Sequence, residues 1–234
     1  ISTLKLLQKL GVKITVLEEK QSGLSLKIEG IGKELFSNKN LELNSGNSGT
    51  TMRLMSGVLS SRSQGYVLTG DNSLCSRPMN RIIKPLNLMG ASIKANNGYP
   101  PLKFPPEKQV INGIQYFMPI SSAQVKSAII LSALNALGNT TITQPSLSRD
   151  HTERMLISMG AKINSKNNKL PITIKGFNET IPITYNQKIP SAQIKSAILF
   201  ASLKSLTSRF ICDQSSQRAK SGITRSANWG RSNM

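Results

Sequence analysis

Residues 44–53 read Asn-Ser-Gly-Asn-Ser-Gly-Thr-Thr-Met-Arg, and an apolar helical stripe of Met52, Met55, Val58 and Leu59 follows at once. The two glycines, Gly46 and Gly49, let a backbone approach a ligand closely. Serine and threonine hydroxyls, with the free amides of a helix start, offer donors to an anion, and Arg53 adds a fixed positive charge one turn in. Such a stretch can hold a phosphate or a carboxylate. An ordinary Ser/Gly loop with an N-cap uses the same residue types, and on these ten residues both readings stay open.

Two further helix starts carry polar chemistry. Arg77-Pro78 is expected to open a helix with proline at its first position, Ile82, Ile83, Leu86 and Met89 on the buried stripe and Pro85 as a kink. Ser148-Arg149-Asp150-His151-Thr152-Glu153 is expected to open another, with Asp150 and Glu153 at capping-box spacing and therefore as caps rather than catalysts. His151, the only histidine, sits in that first turn and reads as structural or surface. Arg77 and Arg149 oppose the positive end of a helix dipole, which points to a bound anion, with a solvent-facing arginine as the alternative.

Composition agrees with anionic partners. The chain has 30 Lys and Arg against 11 Asp and Glu, a net charge of +19 over 234 residues. Aromatics are 5% and no basic block interleaves with them, so a base-stacking nucleic-acid platform is not expected. The basic residues are scattered, which also fits a solvated surface. Cys75 and Cys212 form no metal or disulfide pattern, so no metal is expected from them, and the chain fits a reducing compartment. No apolar run is long enough for a membrane span and no signal peptide is visible.

The elements that must position these residues repeat. A helix-to-strand junction recurs as Leu10-Gly11-Val12, Met89-Gly90-Ala91 and Met159-Gly160-Ala161, each glycine placed where a helix C-cap wants positive φ. A second helix type, apolar almost all round and hence expected to be buried, begins near Ser48, at Ser122 and at Ser191. Strand-like runs lie between, at 65–69, 140–143 and 171–175. One unit of two helices and several strands therefore returns about every 70 residues. The expected packing is an inner helix bundle under outer sheets.

Four ordered pieces over roughly residues 1–165 resemble the EPSP synthase family. They are residues 44–53, Leu68-Thr-Gly-Asp71 leading to Ser76-Arg-Pro-Met79, Ser122-Ala-Gln-Val-Lys-Ser127, and Ser148-Arg-Asp-His-Thr-Glu-Arg-Met155. The Ser-Ala-Gln form is similar to the bacterial class of the family. The resemblance implies an α/β (α+β) fold of βαβαββ units around a pseudo-threefold axis. It also implies transfer of the enolpyruvyl group of phosphoenolpyruvate (PEP) to the 5-hydroxyl of shikimate 3-phosphate, with loss of phosphate, in the cytoplasm and without a cofactor. It places PEP at Asn47, Gly49, Thr50, Arg77 and Gln124, and shikimate 3-phosphate at Ser122, Gln124 and Arg149. Arg53 fits a structural role better than direct contact.

The chain also departs from the family. The Lys-Ser and Arg motif expected near a family N-terminus would precede Ile1. The third unit, where the family has a Gly-Asp-x-Ser-Ser helix start, reads Ile189-Pro-Ser-Ala-Gln193, so no catalytic acid is assigned. Leu170–Leu203 resembles a second copy of Leu102–Leu134, with Ile183-Thr184-Tyr185 echoing Ile114-Gln115-Tyr116. The expected organisation is a partial first domain over 1–205 that needs a second domain, then a divergent tail without regular structure over 206–234. Two rivals remain: the related enolpyruvyl transferase acting on UDP-N-acetylglucosamine, and a basic nucleic-acid-binding fragment.

Overall fold

The computed structural model describes residues 2–20, 23–29, 40–165, 171–176, 184–187 and 208–213. Two units within it have the same element order. The first is β3 (Leu41–Asn44), α2 (Gly49–Leu59), β4 (Tyr66–Thr69), the short α3 (Asn72–Cys75), α4 (Asn80–Leu88), β5 (Lys94–Asn96) and β6 (Tyr99–Phe104). The second is β7 (Gln115–Phe117), α5 (Ala123–Ala133), β8 (Asn139–Thr143), α6 (His151–Ser158), β9 (Ile163–Asn164) and β10 (Ile172–Lys175). Their sheets run β3-β4-β6-β5 and β7-β8-β10-β9. In each, the first pair is parallel and the other two pairs are antiparallel.

A third sheet repeats this order with strands from both ends of the chain. Helix α1 (Ser2–Lys9) leads into the hairpin β1 (Lys13–Lys20) and β2 (Gly23–Glu29). Strand β2 then pairs antiparallel with β12 (Ser208–Asp213), which lies parallel to β11 (Thr184–Gln187). β11 thus holds the same place in its sheet as β7 in the second, as the paired Ile-Xaa-Tyr sequences imply. β12 corrects the expectation of an irregular tail from 206, because those six residues complete a sheet. The helix start expected at Ser191 lies outside the described residues.

Local chemistry accounts for the repeat. Gly11, Gly90 and Gly160 have φ of 87°, 108° and 85°, so each of the three junctions uses the left-handed cap that its sequence demands. α2 and α5 form the inner layer. From Val125 to Ala133 every residue of α5 is buried, as are nine residues of α2. The two backbones touch at Gly57, where a Cβ would stand 2.1 Å from the Ala128 carbonyl oxygen. Ser60 and Ser132 share a buried hydrogen bond of 2.8 Å across the same contact. The amphipathic helices α4 and α6 bury one face each, through Ile82, Ile83 and Leu86 and through Met155 and Leu156. Pro85 lies inside α4.

Two helix starts differ from expectation. α4 begins at Asn80 rather than Pro78, because the Arg77 amide turns back to the Leu74 carbonyl and the Met79 amide donates to Gly98. At α6, Asp150 makes no side-chain cap bond, and its Oδ2 accepts from Arg154 Nε at 2.7 Å. Glu153 is not half of a capping box. Its carboxylate is buried against Lys126, which lies within an otherwise apolar helix surface and needs a counter-charge.

Candidate functional site

The loop at 44–49 is shaped by its own side chains. Asn44 Oδ1 accepts the Gly46 amide at 2.7 Å, and Gly46 turns with φ 56°. Ser48 caps α2: its Oγ accepts the Thr51 amide at 3.1 Å and the Thr51 hydroxyl at 2.7 Å. Thr51 is in turn tied to Thr3 of α1. The cap leaves the Gly49 and Thr50 amides as the orphan donors that every helix start carries. Gly49 is buried, and a Cβ there would lie 3.1 Å from Arg53 Nη1 and 3.6 Å from Arg77 Nη1.

Arg77 reaches the same loop from the segment between α3 and α4. Its Nη2 donates to Asn47 Oδ1 at 2.7 Å and to Ser73 Oγ at 3.1 Å. The Asn47 amide group donates its other end to Asp71 Oδ2 at 2.7 Å. Asp71 caps α3 through the Leu74 amide. The Leu74 amide first, and Asn47 second, hold the Asp71 carboxyl below its ordinary range. The charge of Arg77 lowers it further, so Asp71 offsets part of the Arg77 charge without an ion-pair contact.

Gln124 closes the arrangement from α5. Its Oε1 accepts from Arg53 Nη1 at 2.6 Å and its Nε2 donates to Thr50 Oγ1 at 2.8 Å. Ser122 caps α5, accepting the Val125 amide at a long 3.4 Å. Arg81 of α4 donates to the Ile120 carbonyl at 3.2 Å, just ahead of that cap. Burial depresses the Arg53 guanidinium, and the charges of Arg81 and Arg77 add to the effect. Among the described residues, no carboxylate lies within ion-pair distance of Arg53, Arg77 or Arg81. Three guanidinium groups thus lie near a helix N-terminus with neutral hydrogen-bond partners, Asp71 acting on Arg77 only at longer range, an arrangement suited to an anion.

Asn47 bonds Arg77, Gln124 bonds Thr50 and Arg53, and Gly49 lies against both arginines, so these residues are neighbours. Ser122 lies at the start of the same helix as Gln124. Arg149 stands exposed on the loop before α6, which is tied to the Ser122 loop by Ser121 Oγ, bonded to the Ser146 carbonyl at 2.8 Å and amide at 3.0 Å. Arg53 bonds Gln124 and also lines Gly49. Sequence reasoning missed Arg81 and the Lys126–Glu153 pair. A lysine inside the run Ala-Gln-Val-Lys-Ser-Ala-Ile-Ile-Leu was the available signal for the pair.

The model of the family EPSP synthase (3-phosphoshikimate 1-carboxyvinyltransferase) matches residues 1–181. The chain belongs to the EPSP synthase family. It is 43% identical over 189 residues to the 3-phosphoshikimate 1-carboxyvinyltransferase of Thermodesulfovibrio yellowstonii, covering 78% of this chain and 43% of that protein. It is 46% identical over 165 residues to that of Syntrophomonas wolfei, covering 70% and 37%. The solved EPSP synthase of Acinetobacter baumannii superposes with a TM-score of 0.67 at 44% identity, over 75% of this chain and 38% of that one. The chain therefore spans about two fifths of the length of the EPSP synthases that it matches. The α/β repeat architecture seen here is that of an EPSP synthase, and no described helix is long and apolar enough to cross a membrane.

Proposed function

We infer that this chain supplies one wall of an EPSP synthase site, binding shikimate 3-phosphate and PEP for enolpyruvyl transfer to the 5-hydroxyl. The observation that carries this reading is the convergence of Arg53, Arg77 and Arg81, unpaired by described carboxylates, around Gly49 and Gln124. In this reading the PEP anion lies over the Gly49 and Thr50 amides, with Arg77 as its main charge partner and Asn47 holding Arg77 in place. Gln124 lies between the two substrates. Ser122 and Arg149 take the shikimate phosphate. Arg53 acts through Gln124 and by its field.

The chemistry asked of these groups is positioning and charge stabilisation. Two polyanions must be held together against their repulsion, and a developing phosphate leaving group must be balanced. No acid or base is assigned to this chain, and the reaction as read needs no metal or organic cofactor. This chain would act as the greater part of one domain, working with a second domain in the cytoplasm on the route to aromatic amino acids. The family match and the names of the relatives do not favour a UDP-sugar substrate or a nucleic-acid partner.

Titration calorimetry with shikimate 3-phosphate tests this reading. Saturable binding that Arg149→Ala abolishes is the expected result. A folded chain that takes up no shikimate 3-phosphate would overturn it.

A further inference from the structure

Lys126 and Glu153 are each 1% exposed, and their Nζ and Oε1 lie 2.5 Å apart. Burial pushes the Glu153 carboxyl above its ordinary range, and Lys126 is the main group that opposes this, the Glu153 backbone amide adding less. Lys126 also donates to the Ser148 carbonyl at 3.3 Å, the residue just before Arg149. Burying two charges costs desolvation, and apolar replacements of similar volume are often as stable or more so. Stability alone therefore does not account for an ion pair here.

Register offers the reason. Lys126 lies four residues after Ser122, and Glu153 four residues after Arg149. Lys126 lies in the first turn of α5, its amide donating to the Ser122 carbonyl at 3.0 Å, and Glu153 lies in the first turn of α6, just after the loop that carries Arg149. The ion pair thus joins α5 to α6 one turn beyond the two residues read as the phosphate ligands. We propose that Lys126 and Glu153 are positioning residues that fix Ser122 and Arg149 at the separation one phosphate requires. This rests on the shikimate 3-phosphate reading above. The pair is not an anion site of its own, because Glu153 neutralises Lys126. The neighbouring Ser127–Thr152 hydrogen bond, 2.7 Å and buried, joins the same helices without charge. Together with the apolar contacts it keeps them packed when the pair is removed.

The test is the double variant Lys126→Met/Glu153→Met, with Glu153→Gln as the single. The double variant removes both charges, so it folds even where the single leaves a buried lysine unpaired. The expected result is a melting curve close to wild type, a shikimate 3-phosphate affinity at least about tenfold weaker, and an unchanged PEP affinity. A double variant that binds shikimate 3-phosphate like wild type would overturn the proposal, as would equal losses for both ligands. If the wild type itself binds no shikimate 3-phosphate, the substrate reading fails separately. Amide ¹⁵N relaxation at Arg149 then decides the positioning claim: faster local motion in the double variant supports it, and unchanged motion overturns it.

Discussion

Gly49→Ala separates folding from binding at one atom. The Gly49 φ lies outside the left-handed region, since Gly49 is the first residue of α2. An alanine there is conformationally acceptable and lowers the entropy of the unfolded chain, a gain of up to about 1 kcal/mol. Its Cβ would meet Arg53 Nη1 at 3.1 Å and Arg77 Nη1 and Leu74 Cδ1 at 3.6 Å. The nearest of these is the end of a long side chain, bonded to Gln124, which yields by a few tenths of an ångström at little cost to the fold. A ligand phosphate has no such freedom. It must lie against the same guanidinium groups and the Gly49 amide, and the methyl group occupies its approach. Losing one charge-assisted hydrogen bond costs about 1.5–3 kcal/mol, or roughly 10- to 150-fold in affinity. Calorimetry with PEP at saturating shikimate 3-phosphate, beside a thermal melt, reads both effects. Weakened PEP binding with an unchanged or slightly raised melting temperature is expected. Unchanged PEP affinity would refute the placement of the phosphate over Gly49, and a lowered melting temperature would refute the claim that the fold tolerates the methyl group.

Other substitutions probe the scaffold and the network. Gly57→Ala drives a methyl group into the Ala128 carbonyl where α2 crosses α5. It should cost about 3 kcal/mol, seen as a melting temperature lower by roughly 10 °C. Gln124→Ala strips Arg53 Nη1 and Thr50 Oγ1 of their partner and should destabilise by about 1–2 kcal/mol in urea, with PEP affinity falling as well. The Asp71 carboxyl is held below its ordinary range in the folded chain, so its contribution is complete above that range and is lost as the pH falls through the lowered value. Acid melts of wild type should therefore show a slope that Asp71→Asn lacks, and identical slopes would contradict the role given to Asp71.

Much of this molecule is legible in its sequence because local rules and fold agree. The three junction glycines take positive φ, and Ser48 and Ser122 cap the inner helices. Strands β4, β8 and β10 fall on the strand-like runs at 65–69, 140–143 and 171–175. What was not legible depends on contacts between distant residues. Asp150 and Glu153 have capping-box spacing, yet the buried ammonium of Lys126 draws Glu153 inward, and Arg154 takes Asp150. Pro78 has the character of a first helical residue, but a tertiary bond from the Met79 amide to Gly98 delays the helix. No periodicity within 208–213 announces β12, because a six-residue strand at the start of a polar tail is specified by the β2 and β11 edges it meets. Arg81 was invisible for the same reason: its partner is a backbone carbonyl 39 residues away.

The central claim is that segments far apart in sequence form one binding surface for two phosphorylated anions. Amide ¹H–¹⁵N shift mapping of the labelled chain, first with shikimate 3-phosphate and then with PEP, addresses it most directly. Saturable shifts at 121–126 and 148–150 on the first addition, followed by shifts at 46–51 and 73–77 on the second, are what this account predicts. Weak shifts spread over the exposed lysines, with those loops unmoved, would contradict it and leave only the charge of a basic surface.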